Sequence, residues 1–470
     1  MSNTSAQVRK REPRSRLRSR LAIVAGLTVP ALALAACSSS GGTTTPSAST
    51  SASSSAAAEP VTLWVQSGDG GSDALLKGYA AQNTAFEAAH PGVTVKFTVK
   101  NFNDLVNTLK LQLSGSNVPD VTQVNQGYGS LGQLVTDQLV KSLDDSSTKY
   151  NWASRQSAAL LNLDGAFSPD GKSMGSGSLY GVAATGAWVG LFMNLDNAKK
   201  LGITAPPATL ADLEADLAKA KDGGVTPLVY GTSDGGTPIW LIANLIMAQG
   251  SPQMLTDIVN GTSATLPPEV LGAAQTMKKW ADAGYFSKGS AAFSGNDAVG
   301  KFAKGDGLFT LNGSWNVFAA DNPAGFTLVP FPTGTAGTTA SIATGDLPWS
   351  IPAKAAHPDL AAEYINFITD PANNAAWVAN GQVPASVSGT ETQLVADNKI
   401  TGVSADAITK WSSLAKDGTT LPFPDWATPT WYDTISKSAQ SLEAGQMTPE
   451  EFVKALQDDY GAFTTKRMGG

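Results

Sequence analysis

Pro60-Val61-Thr62-Leu63-Trp64-Val65 and Val93-Thr94-Val95-Lys96-Phe97-Thr98-Val99 flank a stretch of helical period, and together these three runs decide the fold. The first is rich in β-branched and aromatic residues and meets a turn at Ser67-Gly68-Asp69-Gly70-Gly71. Leu75, Leu76, Tyr79, Phe86 and Ala89 then recur at helix-compatible spacing, and His90-Pro91-Gly92 stops that helix before the second run alternates. This is a βαβ unit. A helix over 103–113, a short strand at 121–124 and a helix over 128–140 repeat the alternation. The pattern predicts an open α/β sheet, with ligand sites at the C-terminal ends of its strands.

The alternation continues past midchain. Residues 180–194 form a long β-prone run, and 209–221 a helix whose Thr209 and Asp212 can share the capping of its first turn. Further helices are expected at 268–283, 297–304, 358–369, 432–444 and 449–460, the last opened by Thr448, Pro449 and Glu451. No solenoid-type repeat is present. With 470 residues, 42% hydrophobic and 15% charged, the chain can bury the cores of two lobes.

The start of the chain reads differently. Arg9, Lys10, Arg11, Arg14, Arg16, Arg18 and Arg20 stand against only Glu12, and an apolar run from Leu21 to Ala36 follows, broken by Gly26, Thr28 and Pro30. Residues 1–36 therefore have the form of a secretory signal peptide, too short and Ala-rich in its apolar part for a comfortable membrane span. Residues 38–58 are almost all Ser, Thr, Ala or Gly and cannot build a core, which makes 37–58 a flexible tether. The formal charge of −7 becomes −13 once the +6 of the first twenty residues is set aside. Such an acidic body lacks the phosphate-neutralising surface that nucleic acid requires. The single cysteine, Cys37, excludes an intramolecular disulfide.

Leu34-Ala35-Ala36-Cys37-Ser38, at the end of the apolar run, resembles the lipobox of bacterial lipoproteins. The resemblance implies cleavage before Cys37, its lipidation, and a membrane partner held through acyl chains. Other segments resemble, in order, the extracellular solute-binding proteins, family 1, that serve ATP-driven sugar importers. They are Ala85-Phe86-Glu87 with His90-Pro91-Gly92-Val93, Pro119-Asp120-Val121, and Leu179-Tyr180-Gly181-Val182-Ala183 leading to Leu191-Phe192-Met193-Asn194. Lys301 to Phe309 with Asn312-Gly313-Ser314-Trp315, His357 to Ile365, and Gly381-Gln382-Val383-Pro384-Ala385 complete the series. Leu210 departs from the family's usual aromatic residue, and Gly345-Asp346 from its usual paired glycine.

The resemblance implies a type II periplasmic-binding-protein-like fold: two α/β lobes with open sheets flanked by helices, and a ligand cleft that closes by hinge motion. In residue terms, lobe 1 is expected at about 59–186 and 340–372, and lobe 2 at about 187–339 and 373–470. It also implies a carbohydrate ligand and ABC transporter permease subunits as partners.

A sugar pocket needs aromatic plates for C–H faces and side chains that both donate and accept hydrogen bonds. Eleven tryptophans are available. Trp188, Trp240, Trp315, Trp349 and Trp431 are the candidate plates, with Trp431 favoured within Pro422-Phe423-Pro424-Asp425-Trp426-Ala427-Thr428-Pro429-Thr430-Trp431. Gln66, Asp69, Asn125, Gln126, Asp234, Asn312 and Asp346 are the candidate polar partners, mostly from loops after strands. For any one of them, core packing or turn formation is the competing role. Beyond residue 20 only Arg155 and Arg467 remain, so the bidentate clamp for carboxylate or phosphate ligands is scarce. A polyamine or peptide receptor of the same fold is the nearer alternative.

Gly231-Thr232-Ser233-Asp234-Gly235 fits a nucleophile elbow with His357 downstream, but Gly-Gly-Thr-Pro follows Ser233 where an immediate helix is required. Hydrolysis is the less favoured reading, and no enzyme activity is expected. Two isolated histidines leave no metal cluster, and no dinucleotide or phosphate-loop motif appears, so neither metal nor cofactor is expected.

Overall fold

A computed structural model describes residues 59–469 apart from 71, 318–322, 334–339, 387 and 418–419. The signal peptide, Cys37 and the tether lie outside the described residues. None of the described helices is long and apolar enough to cross a membrane.

The first sheet is built from β1 (Val61–Ser67), β2 (Val93–Val99) and β3 (Val121–Gln123), with β1 parallel to both neighbours. The helix Asp73–Ala89 crosses between β1 and β2 and is capped by Ser72, whose hydroxyl accepts the N–H of Leu75. A small ribbon of β4 (Ala166–Phe167) and β5 (Ser178–Leu179) follows.

The second sheet is organised on β6 (Gly186–Asn194), buried at all nine positions. Its outer part pairs antiparallel with both β7 (Phe309–Gly313) and β8 (Phe326–Pro330), and its first three residues pair with β9 (Ser341–Gly345). The chain then returns to the first sheet, where β10 (Trp349–Ser350) pairs antiparallel with β3. Finally β11 (Thr420–Leu421) joins β9 in parallel.

Burial follows the period of two. Val189, Leu191 and Met193 face one core of the second lobe, together with the helices Gly236–Gln249, Glu269–Asp282, Trp431–Glu443 and Pro449–Met468. Trp188 and Phe192 face the opposite side, against Ile408 and Trp411 of the helix Gly402–Asp417. A strand covered on both faces loses polar alternation, as the 180–194 run does.

The expected helices form, most of them within two residues of their expected bounds. The 128–140 helix shrinks to Leu131–Thr136, while the last extends to Met468. The capping boxes at Thr209–Asp212 and Thr448–Glu451 are both present. Residues 180–185 do not join β6 as strand; they cross between the lobes.

Two of the expected lobe boundaries need correction. Residues 341–345 belong with the second sheet because they pair with β6. The helix Asn374–Val378 belongs mainly with the first lobe, because Trp377 packs edge-on against Tyr79 with ring centroids 4.9 Å apart. Its indole N–H donates to Ile368 O at 3.0 Å.

That packing sets one outcome. Gly78, in the helix Asp73–Ala89, lies so close to Trp377 that a Cβ would sit 2.7 Å from Cε3 of the indole. Glycine to alanine inside a helix ordinarily stabilises by about 1 kcal/mol. Here Gly78→Ala is expected to destabilise by about 1–3 kcal/mol through overpacking, and denaturant unfolding of the two proteins checks the sign.

Candidate functional site

Three segments cross between the lobes and hydrogen-bond to one another. Asp346 N–H donates to Thr185 O at 2.8 Å, Gly186 N–H to Val383 O at 2.7 Å, and Ala385 N–H to Ala184 O at 3.1 Å. Buried side chains of the first lobe brace them. Asp164 accepts Gly345 N–H at 2.9 and 3.1 Å, Gln156 donates to Ala183 O at 2.8 Å, and Gln126 donates to Gly345 O at 3.0 Å. Burial pushes the Asp164 carboxyl well above its usual range, against the pull of the Gly345 N–H.

Beside this crossing lies a cavity of about 610 Å³ between the lobes. The first lobe supplies Asp69, Asn125 and Gln126 from loops at the C-terminal ends of β1 and β3, and Phe102 from the start of the helix Phe102–Ser114. The second supplies Asp234, Trp240, Asn296, Trp315 and Asn316, and the crossing contributes Asp346. Phe423, Asp425, Trp426 and Tyr432 close the wall.

The lobes touch on several sides of the cavity. Ser72 Oγ donates to Trp315 O at 2.9 Å, and Tyr128 N–H to Trp426 O at 3.3 Å. The Arg467 guanidinium hydrogen-bonds the Tyr128 hydroxyl and lies 5.1 Å from the centre of its ring. Phe102 and Tyr432 meet across the opening with ring centroids 6.3 Å apart. Inside, Trp240 and Trp315 are edge-on at 5.4 Å, and Phe423 lies 6.4 Å from Trp315 and 5.5 Å from Trp426. The arrangement is a set of differently tilted aromatic faces interleaved with amide and carboxyl groups.

Of the twelve residues expected at the site, Asp69, Asn125, Gln126, Asp234, Trp240, Trp315 and Asp346 line the cavity. The other five lie elsewhere. Gln66 is buried behind the first sheet and exchanges hydrogen bonds with Gln112 at 3.0 and 3.2 Å. Asn312 stands one layer back, where its Nδ2 donates to Gly295 O and its Oδ1 accepts Asn316 Nδ2.

Three expected plates are corrected to core residues. Trp188 is fully buried with its indole N–H on Ala407 O, Trp349 packs edge-on to Tyr79, and Trp431 stacks on Tyr460. Within 422–431, Phe423 and Trp426 face the cavity, while Trp431 begins a helix and turns into its core. Phe102, Asn296, Asn316 and Tyr432 carried no sequence signal, since each sits at or beside a helix end that only tertiary packing brings to the cleft.

The pairing once conceivable for a hydrolase is also placed. Ser233 is exposed in the second lobe, whereas His357 precedes the helix Pro358–Ile368 in the first, its N–H donated to Asp120. Among the described residues no group of His, Cys, Asp and Glu could hold a metal ion.

A family model described as bacterial extracellular solute-binding protein matches residues 68–375. The chain belongs to this family. Among solved structures, a protein from Caldanaerobius polysaccharolyticus studied for xylan utilization superposes with a TM-score of 0.71 at 20% identity, covering 85% of this chain and 99% of that one. A chitin oligosaccharide binding protein gives 0.68 at 20% identity, covering 83% and 96%. The GacH receptor of Streptomyces glaucescens gives 0.69 at 19%, covering 86% and 98%. These likenesses establish the family's two-lobe, type II fold.

By sequence, the chain is 24% identical over 327 residues to an uncharacterized ABC transporter extracellular-binding protein of Pyrococcus horikoshii, covering 66% of this chain and 67% of that one. Provisionally named binding proteins of Brucella abortus and Brucella suis are 28% identical over 224 residues. The chain spans about half the length of these Brucella relatives.

Burial sets the electrostatics of the cavity's carboxyl groups. Burial raises Asp346 to about 8, helped by the neighbouring Asp69 charge, and raises Asp425 to about 7. Asp69 is also pushed up by burial, against hydrogen bonds from Gln123, Tyr79 and Ser67. Burial likewise raises Asp234, against the backbone N–H of Gly295.

A carboxyl whose pKa is higher folded than unfolded binds more protons in the native state between the two values. The stability it contributes is full below the unfolded value and is lost as pH rises through the folded one. Asp346→Asn removes that loss. The melting temperature of this variant, relative to the unaltered chain, is expected to rise steadily between about pH 4 and about pH 8. Paired thermal denaturation across that range checks it.

Proposed function

We propose that the chain is the extracytoplasmic, lipid-anchored receptor of an ABC importer, capturing a mono- or oligosaccharide between its lobes and delivering it to the permease subunits. The observation that carries this reading is the interlobe cavity itself. Its volume suits a small solute, tilted aromatic faces suit C–H surfaces, and its amide and carboxyl groups suit a rim of hydroxyls.

Trp240 and Trp315 act as the stacking plates, with Phe423 and Trp426 beside them. Asp69, Asn125, Gln126, Asp234 and Asp346 orient the hydroxyls, assisted by Asn296 and Asn316. Closure joins Ser72 to the Trp315 carbonyl, so the residue that stacks on the sugar also seals the lobes. The names of similar proteins support a sugar: one was studied for xylan utilization, another binds chitin oligosaccharide, and GacH was solved with acarbose. The Pyrococcus relative's name supports the transporter. Residues 1–36 direct export, Cys37 takes the lipid, and 37–58 hold the lobes off the membrane.

A saturable rise in melting temperature with one saccharide class, and none with amino acids, is the expected result of a ligand panel. Trp315→Ala should weaken that saccharide roughly tenfold or more, the loss of a desolvated aromatic contact; unchanged affinity by calorimetry would remove Trp315 from the site.

The anchor has its own test. Cys37→Ser should move the protein from the membrane fraction to the soluble extracytoplasmic fraction without altering saccharide affinity, as fractionation of producing cells and calorimetry would show.

A further inference from the structure

One buried side chain holds together segments that build the cavity without lining the cavity itself. Gln123 ends β3, is fully buried, and precedes the lining residues Asn125 and Gln126. Its Oε1 accepts Gly68 N–H at 2.7 Å and the Ser67 hydroxyl at 2.8 Å. Its Nε2 donates to the Tyr79 hydroxyl at 2.8 Å and to Leu347 O at 3.3 Å. Gly68 N–H can only donate and Leu347 O can only accept, so the amide has one orientation and its full hydrogen-bonding capacity is used.

The partners lead to the site. Gly68 precedes Asp69, and the same Ser67 hydroxyl accepts Asp69 N–H at 3.0 Å. Leu347 follows Asp346, which the crossing delivers to the cavity. Tyr79 is held edge-on between Trp349 and Trp377. The glutamine therefore ties the Asp69 loop to the crossing, and both to the aromatic core of the first lobe. The loop has no slack, since a Cβ at Gly68 would lie 2.6 Å from Leu105 Cδ2 and 3.0 Å from Leu347 Cδ1. Filling this space needs no amide: a leucine of similar size would do so without burying polar atoms. What the amide adds is direction, because a fully satisfied buried network holds its members in one arrangement.

We propose that Gln123 is a positioning residue of the solute site, its buried amide fixing the Asp69 carboxyl relative to Asp346 through Gly68, Ser67 and Leu347. The inference rests on the carbohydrate reading above. Epimeric sugars differ only in the direction of a hydroxyl, so acceptors held at a fixed separation select among them and loose ones do not.

Calorimetric titration of the full chain with glucose, galactose, mannose, xylose and their short oligomers identifies the probe, the tightest of these. Gln123→Leu and the milder Ser67→Ala are then titrated with it, alone and combined with Asp69→Ala, well below their melting temperatures. Ser67→Ala is expected to weaken the probe about threefold and Gln123→Leu about tenfold or more, the worth of one and of several directed hydrogen bonds. Selectivity over the probe's epimer falls with affinity, and both losses shrink when Asp69 is already alanine. Ser67→Ala carries the test where Gln123→Leu does not fold.

A lowered melting temperature with affinity and selectivity unchanged would make Gln123 a core residue only and overturn the inference. Losses of undiminished size in the Asp69→Ala background would overturn it too. If no saccharide binds the unaltered chain, the carbohydrate reading falls separately, and amide hydrogen exchange decides the clamp. Faster exchange at Gly68 and Asp69 in Ser67→Ala, with β2 unchanged, keeps it; unchanged exchange there overturns it.

Discussion

The structure depends on one buried contact, the Asp164 carboxyl gripping the backbone N–H of Gly345. Asp164 belongs to the first lobe, in the helix Ala158–Gly165, and Gly345 ends β9 of the second. A side chain at 345 could not pass, because its Cβ would lie 2.1 Å from Asp164 Oδ2 and 2.3 Å from Ala183 Cβ. The glycine therefore lets two strands of the crossing lie side by side, and the next residue, Asp346, is delivered into the cavity. The braced crossing and the cavity lining are thus consecutive positions of one chain segment.

Much of the fold was legible because its signals are local. The βαβ opening is written in the switch between a period of two and a helical period, and the Thr209 and Thr448 caps in side chains three residues from their partners. What escaped has a physical reason. The helix Gly236–Gln249 is buried on nearly all sides, so Gly-Thr-Pro-Ile-Trp-Leu-Ile-Ala-Asn-Leu-Ile-Met-Ala-Gln shows no polar face to mark its period. The lobe boundary near 340 was obscured because β9 and β10 are four residues apart yet belong to different sheets.

The lining of the candidate site was legible where a residue follows a strand, as Asp69, Asn125 and Gln126 do, since the position of the strand end fixes where the side chain goes. Tryptophans were harder. Trp188 and Trp315 belong to neighbouring elements, one facing a core and the other the cleft, and the choice between faces is made by strand register and by the helix packed above. Trp431 shows the same limit: ten residues of loop-like sequence do not reveal where the next helix starts, and that start decides whether the ring points inward. Polar groups at helix starts, such as Asn296, reach the cavity only because distant elements arrive beside them.

The return of the chain to its first sheet also governs the order in which the molecule can be assembled. The strand that pairs with Gln123 is at Trp349, and the indole that completes the packing around Tyr79 is at position 377. A growing chain therefore holds β1, β2 and β3 for most of its synthesis without the pieces that finish their core. Contacts so remote in sequence close late and slowly. During that interval the first lobe remains an incomplete sheet with an open edge, waiting on residues more than two hundred positions downstream.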